Sequence, residues 1–148
     1  MADEIRIPIK SDADMVPARA EARALALALG FSRTDATLIA TAISEVTRNI
    51  VVHAGCGELL MRPVHDDSRT GIVVVARDDG PGIRDVEAAL GRGYTGRGGL
   101  GLGLPGARRL MDEFEVESNS SSGTTVKMTK WRIRDELERL REKRRKRE

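Results

Sequence analysis

The run GIVVVARDD, from Gly71 to Asp79, constrains this chain more than any other stretch. Its unbroken β-branched residues favour a strand, and it is short enough to be a buried sheet element. It leads straight into Gly80-Pro81-Gly82, where the backbone must turn sharply and one face is left bare of side chains. A glycine there either supplies a positive φ angle or lets another molecule come close to the main chain. Asp-Gly and Pro-Gly are also common turn dipeptides. Alone, the stretch therefore reads as a strand and a turn.

Other elements fall into place around it. EIRIPIK alternates Ile5, Ile7 and Ile9 as a half-buried strand does, and Pro8 suggests an edge. Ser11 or Asp12 caps a first helix that runs to about Leu29 and closes at Gly30. Ser32 opens a second through Ile39, Ala42, Ile43, Val46 and Ile50, ending near Gly55. GELLMRPVHD and GIVVVARDD pair across the turn around DDSRTG, and a short helix is expected near Val86 to Leu90. LPGARRLMDEF has proline in a first-turn position and reads as a helix. FEVESNS and SSGTTVKMTK make a final hairpin. Helices and paired strands in this order predict an α+β fold, a two-layer sandwich with helices on one sheet face.

At 148 residues the chain holds one domain with a real core. We place it at residues 1–130, followed by a charged, helical tail at 131–148 with Ile133, Leu137 and Leu140 on one narrow stripe. Net charge is +2, but residues 132–148 carry a basic surplus of four, which leaves −2 on the rest. The domain itself thus gives no electrostatic footprint for nucleic acid. Aromatics at 3% are too few for base-stacking platforms. One cysteine, Cys56, excludes an internal disulfide and fits a reducing compartment. With no run long enough for a bilayer and no signal peptide, a cytoplasmic protein is expected.

Two further stretches carry chemistry. In SEVTRNI, Glu45 and Asn49 are four apart on the second helix, hence roughly 40° apart around it, bordering its apolar side. A carboxylate and an amide there are costly unless something satisfies them. The amide oxygen of Asn49 suits a hard divalent cation, and Glu45 could deprotonate a hydroxyl one turn away. The plain alternative is a solvated helix flank. In GRGGLGLGLPGA, five glycines fall between Gly96 and Gly103 just before a helix, freeing the backbone to wrap an anion at that helix N-terminus. No Gly-Lys-Ser/Thr follows, so it is not a Walker loop. A surface loop would not need Leu100, Leu102 and Leu104 between the glycines.

Taken in order, Glu45 to Asn49, Asp78 to Gly82, Gly99 to Gly103 and Gly123 to Thr125 make the chain resemble the GHKL ATP-binding superfamily of gyrases, MutL, heat-shock chaperones and histidine kinases. The resemblance implies the Bergerat fold with a mixed, largely antiparallel sheet, ATP and Mg²⁺ as cofactors, and Asp78 accepting from the adenine amino group. It further implies Gly80 and Gly82 beside base and ribose, Asn49 on the metal and Glu45 as catalytic base. Gly99, Gly101, Gly103, Arg97 and Thr125 complete the ATP-binding set, with Arg92 as a second candidate for the γ-phosphate. Small size and GYTGRGGLGLGLPGARRLMDEF resemble the RsbT branch of serine/threonine kinases in the stressosome. Anti-sigma kinases of the RsbW and SpoIIAB type usually carry an arginine where Gly99 stands here. That branch implies STAS-domain proteins as substrates and a PP2C-type phosphatase as activated target, without nucleic acid or membrane. An anti-sigma factor and a non-catalytic ATP-dependent binding module are the alternatives.

Overall fold

The computed structural model describes residues 4–82, 103–119, 121–132 and 144. Strand β1 (Ile5–Ile9) and a 3₁₀ turn (Asp12–Asp14) lead into helices α1 (Met15–Ala28) and α2 (Arg33–His53). A hairpin of β2 (Gly57–Asp66) and β3 (Arg69–Asp78) follows, and after the segment outside the described residues come α3 (Gly103–Leu110), β4 (Glu113–Asn119) and β5 (Gly123–Trp131). The expected helix near Val86 to Leu90 lies outside the described residues.

The punctuation is local. Asp14 accepts from the N–H groups of Lys10 and Ser11 and holds the chain as it leaves β1. Helix α1 stops where Gly30 takes φ +92°, with the Gly30 N–H donating to Leu27 O and the Phe31 N–H to Ala26 O. This is the Schellman pattern that glycine allows. Ser32 Oγ accepts from the Asp35 N–H at 3.0 Å and starts α2. Gly55, at φ +86°, ends it.

The sheet order is β1-β2-β3-β5-β4. Every described pairing is antiparallel, where the expectation allowed a mixed sheet. Pro8 stands on β1, an edge strand, as its missing N–H requires. The core lies between one sheet face and the helices. It gathers Ile9, Leu59, Met61, Ile72, Val74, Ala76, Val126 and Met128 from the strands and Ile39, Ile43, Val46 and Ile50 from α2. Ala18, Ala22 and Ala26, spaced by four on α1, are 0% exposed, so small side chains let α1 lie close against α2. Leu104 and Ala107 bury α3 in the same cluster.

Several boundaries differ from the sequence reading: β3 starts at Arg69 rather than Gly71 and ends at Asp78, and a 3₁₀ turn at Asp12–Asp14 precedes α1. Helix α3 ends at Leu110 rather than continuing to Phe114, because the Asp112 N–H donates to Thr129 O and draws the chain into pairing with β5. Strand β5 runs through Trp131, one residue past the expected end of the domain.

Candidate functional site

The site begins where β3 runs out. Asp78 is its last residue and is 7% exposed. Its Oδ1 accepts from the Gly80 N–H at 2.9 Å and from the Thr124 N–H at 3.3 Å. Oδ2 accepts no hydrogen bond among the described residues and is open to solvent, which leaves an acceptor for a donor from outside. Asp78 lines a cavity of about 560 Å³ with Lys10, Ala54, Cys56, Gly57, Glu58, Arg77, Asp79 and Gly80.

The glycines after Asp78 have internal reasons to be glycine. A Cβ on Gly80 would fall 2.5 Å from that of Ala54, at the C-terminal end of α2. Gly82 has φ +79°, and a Cβ there would run into the Asn119 backbone. Each of these glycines is thus required by the protein's own packing. Gly123, at φ +79°, passes against the Asp78 carbonyl in the same way. The turn after β3 therefore locks onto α2, β4 and β5 at once.

Helix α2 brings the other two candidates. Glu45 is 7% exposed and Asn49 half-buried, about 6 Å further along the axis at 1.5 Å per residue. Glu45 lines a second opening of about 600 Å³ with Arg19, Ala20, Arg23, Thr37, Ala40, Thr41, Ser44 and Arg48. The hydroxyls of Thr37, Thr41 and Ser44 each donate to the carbonyl four residues back, leaving lone pairs that face outward. This cleft was not anticipated: its arginines come from two helices, and only the packing of α1 on α2 brings them together.

Thr125 stands apart from this group. It pairs with Arg77 and Glu117, on the face of the sheet away from the helices, whereas Thr124 pairs with Asp78. Strand parity carried the signal, since Val126 and Met128 point into the core and Thr124 shares their side. Gly103 opens α3 with φ +47°. Arg92, Arg97, Gly99 and Gly101 lie outside the described residues.

The site thus combines an aspartate buried at a strand end with a helix that carries Glu45, buried, and Asn49, half-buried. Residues 9–130 match the model of the histidine kinase-like ATPase domain, and the chain belongs to that family. Within it the chain is of the serine/threonine-kinase type. It is 42% identical over 131 residues to serine/threonine-protein kinase RsbT of Bacillus subtilis (strain 168), covering 88% of this chain and 98% of that protein. It is also 38% identical over 99 residues to an anti-sigma F factor of Caldanaerobacter subterraneus, covering 63% of this chain and 68% of that protein. Among solved structures, the mycobacterial sensor histidine kinase MprB superposes with a TM-score of 0.49 at 15% identity, covering 91% of this chain and 100% of that one. That likeness is too slight to bear on function.

Proposed function

We propose that this kinase transfers the γ-phosphoryl group of ATP to a serine or threonine of a STAS-domain protein, and that it then binds and activates a PP2C-type phosphatase. The observation that carries the proposal is Glu45: a buried carboxylate that opens on an arginine-lined cleft, away from the cavity beside Asp78. One opening suits a nucleotide and the other an acceptor segment.

The residues present fit the nucleotide. Asp78 Oδ2 is an unengaged acceptor at the wall of the cavity, which suits an exocyclic amine. Among the described residues no three of His, Cys, Asp and Glu converge. Magnesium commonly takes few protein oxygens and completes its shell with phosphates and water. Asn49 would give one such oxygen. When bound, ATP with Mg²⁺ supplies the phosphoryl group and the cation that offsets its charge.

The protein's part is then positioning and one proton. Asp78 fixes the base, and Thr124, whose Oγ1 lies 2.7 Å from Ser118 Oγ, stands beside it in place of Thr125. Arg19, Arg23 and Arg48 draw an acidic acceptor segment into the cleft. Glu45 takes the proton of the acceptor hydroxyl. Holding both partners in register supplies much of the rate.

A second reading, an anti-sigma factor that sequesters a sigma factor, rests on the similarity to anti-sigma F factors. That similarity spans less of the chain than the match to RsbT does. The two readings part in one experiment. The kinase is incubated with labelled ATP, Mg²⁺ and STAS-domain proteins, and then offered a phosphatase and a sigma factor in competition. Label on a STAS serine or threonine and subsequent capture of the phosphatase support the first reading. Capture of the sigma factor alone sinks it.

A further inference from the structure

Cys56 is the single residue between Gly55, which ends α2 with φ +86°, and Gly57, which opens β2. The residue is exposed and its thiol is free. A Cβ on Gly55 would meet nothing within 4 Å, so the chain is open to solvent on that side. On the other side Gly57 is the cross-strand partner of Asp78, and a Cβ there would run into the Arg77 carbonyl. Gly57 thus contributes no side chain between Cys56 and Asp78. One step along the chain is about 3.8 Å and the antiparallel pair about 5.5 Å wide, so the two Cα atoms are at most about 9 Å apart.

Both residues line the same cavity of about 560 Å³, a volume typical of small-ligand sites. Asp78 is 7% exposed, and its Oδ2 accepts no hydrogen bond among the described residues, so the cavity holds a polar group left over for a ligand. The other charged groups on its wall are Lys10, Arg77, Glu58 and Asp79. Arg6 engages Glu58, whereas Lys10 and Arg77 form no ion pair among the described residues. An anionic molecule that reaches the thiol finds two uncommitted cations beside it.

We propose that, with this cavity read as the nucleotide site, Cys56 is a modification site for low-molecular-weight disulfides that carry carboxylates, and that the adduct and the nucleotide exclude each other. In the exchange the Cys56 thiolate attacks one sulfur of the small disulfide. The new S–S bond forms as the old one breaks, and the other half leaves as a thiolate that takes up the proton given up by Cys56. Cys56 is oxidised and the departing half reduced, with no further oxidant. A disulfide separates its two Cα atoms by about 5.5–6 Å and one further residue adds about 3.5 Å, so a peptide adduct reaches Asp78. Excess reducing thiol reverses the step.

Glutathione disulfide is the probe, and intact-mass spectrometry follows its attachment to the full chain with and without saturating ATP and Mg²⁺. One adduct per chain is expected, at Cys56, formed at least about tenfold more slowly when ATP is present. ATP affinity of the isolated adduct, measured by calorimetry, falls at least about tenfold and returns on treatment with dithiothreitol. In C56S the disulfide attaches nothing, and treatment does not change ATP affinity. D78N, run alongside, tells two failures apart. If D78N loses ATP affinity, yet ATP does not slow attachment or the adduct binds ATP as the unmodified chain does, the proposal is overturned and the nucleotide reading stands. If D78N binds ATP as tightly as the parent and ATP leaves the attachment rate unchanged, both fall together. Chains joined to each other through Cys56, in place of the small adduct, also overturn it.

Discussion

Asp78 has two oxygens with different tasks, and a single substitution separates them. Oδ1 holds the Gly80 and Thr124 N–H groups, while Oδ2 is free for a donor. In D78N the amide oxygen can keep the first pair, so the turn survives, but an NH₂ now faces the amine of the base. ATP affinity measured by calorimetry should fall by about 10–100-fold, the scale of one charge-assisted hydrogen bond at about 1.5–3 kcal/mol. Unchanged affinity would remove Asp78 from base recognition. T124V should also weaken ATP binding while T125V leaves it nearly unaltered, since only Thr124 shares Asp78's side of the sheet. E45Q should bind ATP normally and transfer phosphate about 10²–10⁴-fold more slowly in single-turnover assays. Full transfer in that variant would exclude Glu45 as the base.

At the scale of elements, α1 and α2 jointly make the cleft proposed for the acceptor, and their closeness rests on three alanines. A22L should force them apart at a cost of about 1–3 kcal/mol, read as a lower Cm in urea. R23E leaves the core alone and reverses a charge in the cleft. It should lower phosphorylation of an acidic acceptor, with a KM that responds less to salt, while ATP affinity stays constant. Equal acceptor kinetics in R23E and the parent would place the docking site elsewhere. The helices themselves were legible. Gly30, Ser32 and Gly55 mark their ends by backbone chemistry that is entirely local. The cleft was not, because Arg19 and Arg48 sit 29 positions apart and nothing local ties them together.

The whole molecule shows where sequence pattern stops being enough. The order of elements, the edge position of Pro8 and the final hairpin could all be read, since periodicity and turn residues encode them. The insertion of β5 between β3 and β4 could not, as no local signal says which distant strand will pair. That pairing shapes the surroundings of Asp78: it gives Asp78 the Thr124 N–H, and its parity puts Thr124 rather than Thr125 on the side of Asp78. The bend at Gly80 and Gly82 was legible, but the contacts that require glycine there come from Ala54 and Asn119, one at a helix end and one at a strand end. The same pairing has a consequence during synthesis. Asp78 leaves the ribosome well before its partner strand, so the nucleotide pocket proposed here cannot be completed until Gly123 and the residues after it have emerged. A message broken anywhere between those two codons would yield a chain with Glu45, Asn49 and Asp78 all present that still could not grip ATP. Retention of such fragments on immobilised ATP would contradict this. Their loss would make nucleotide occupancy a proofreading mark that separates finished kinase from abortive product.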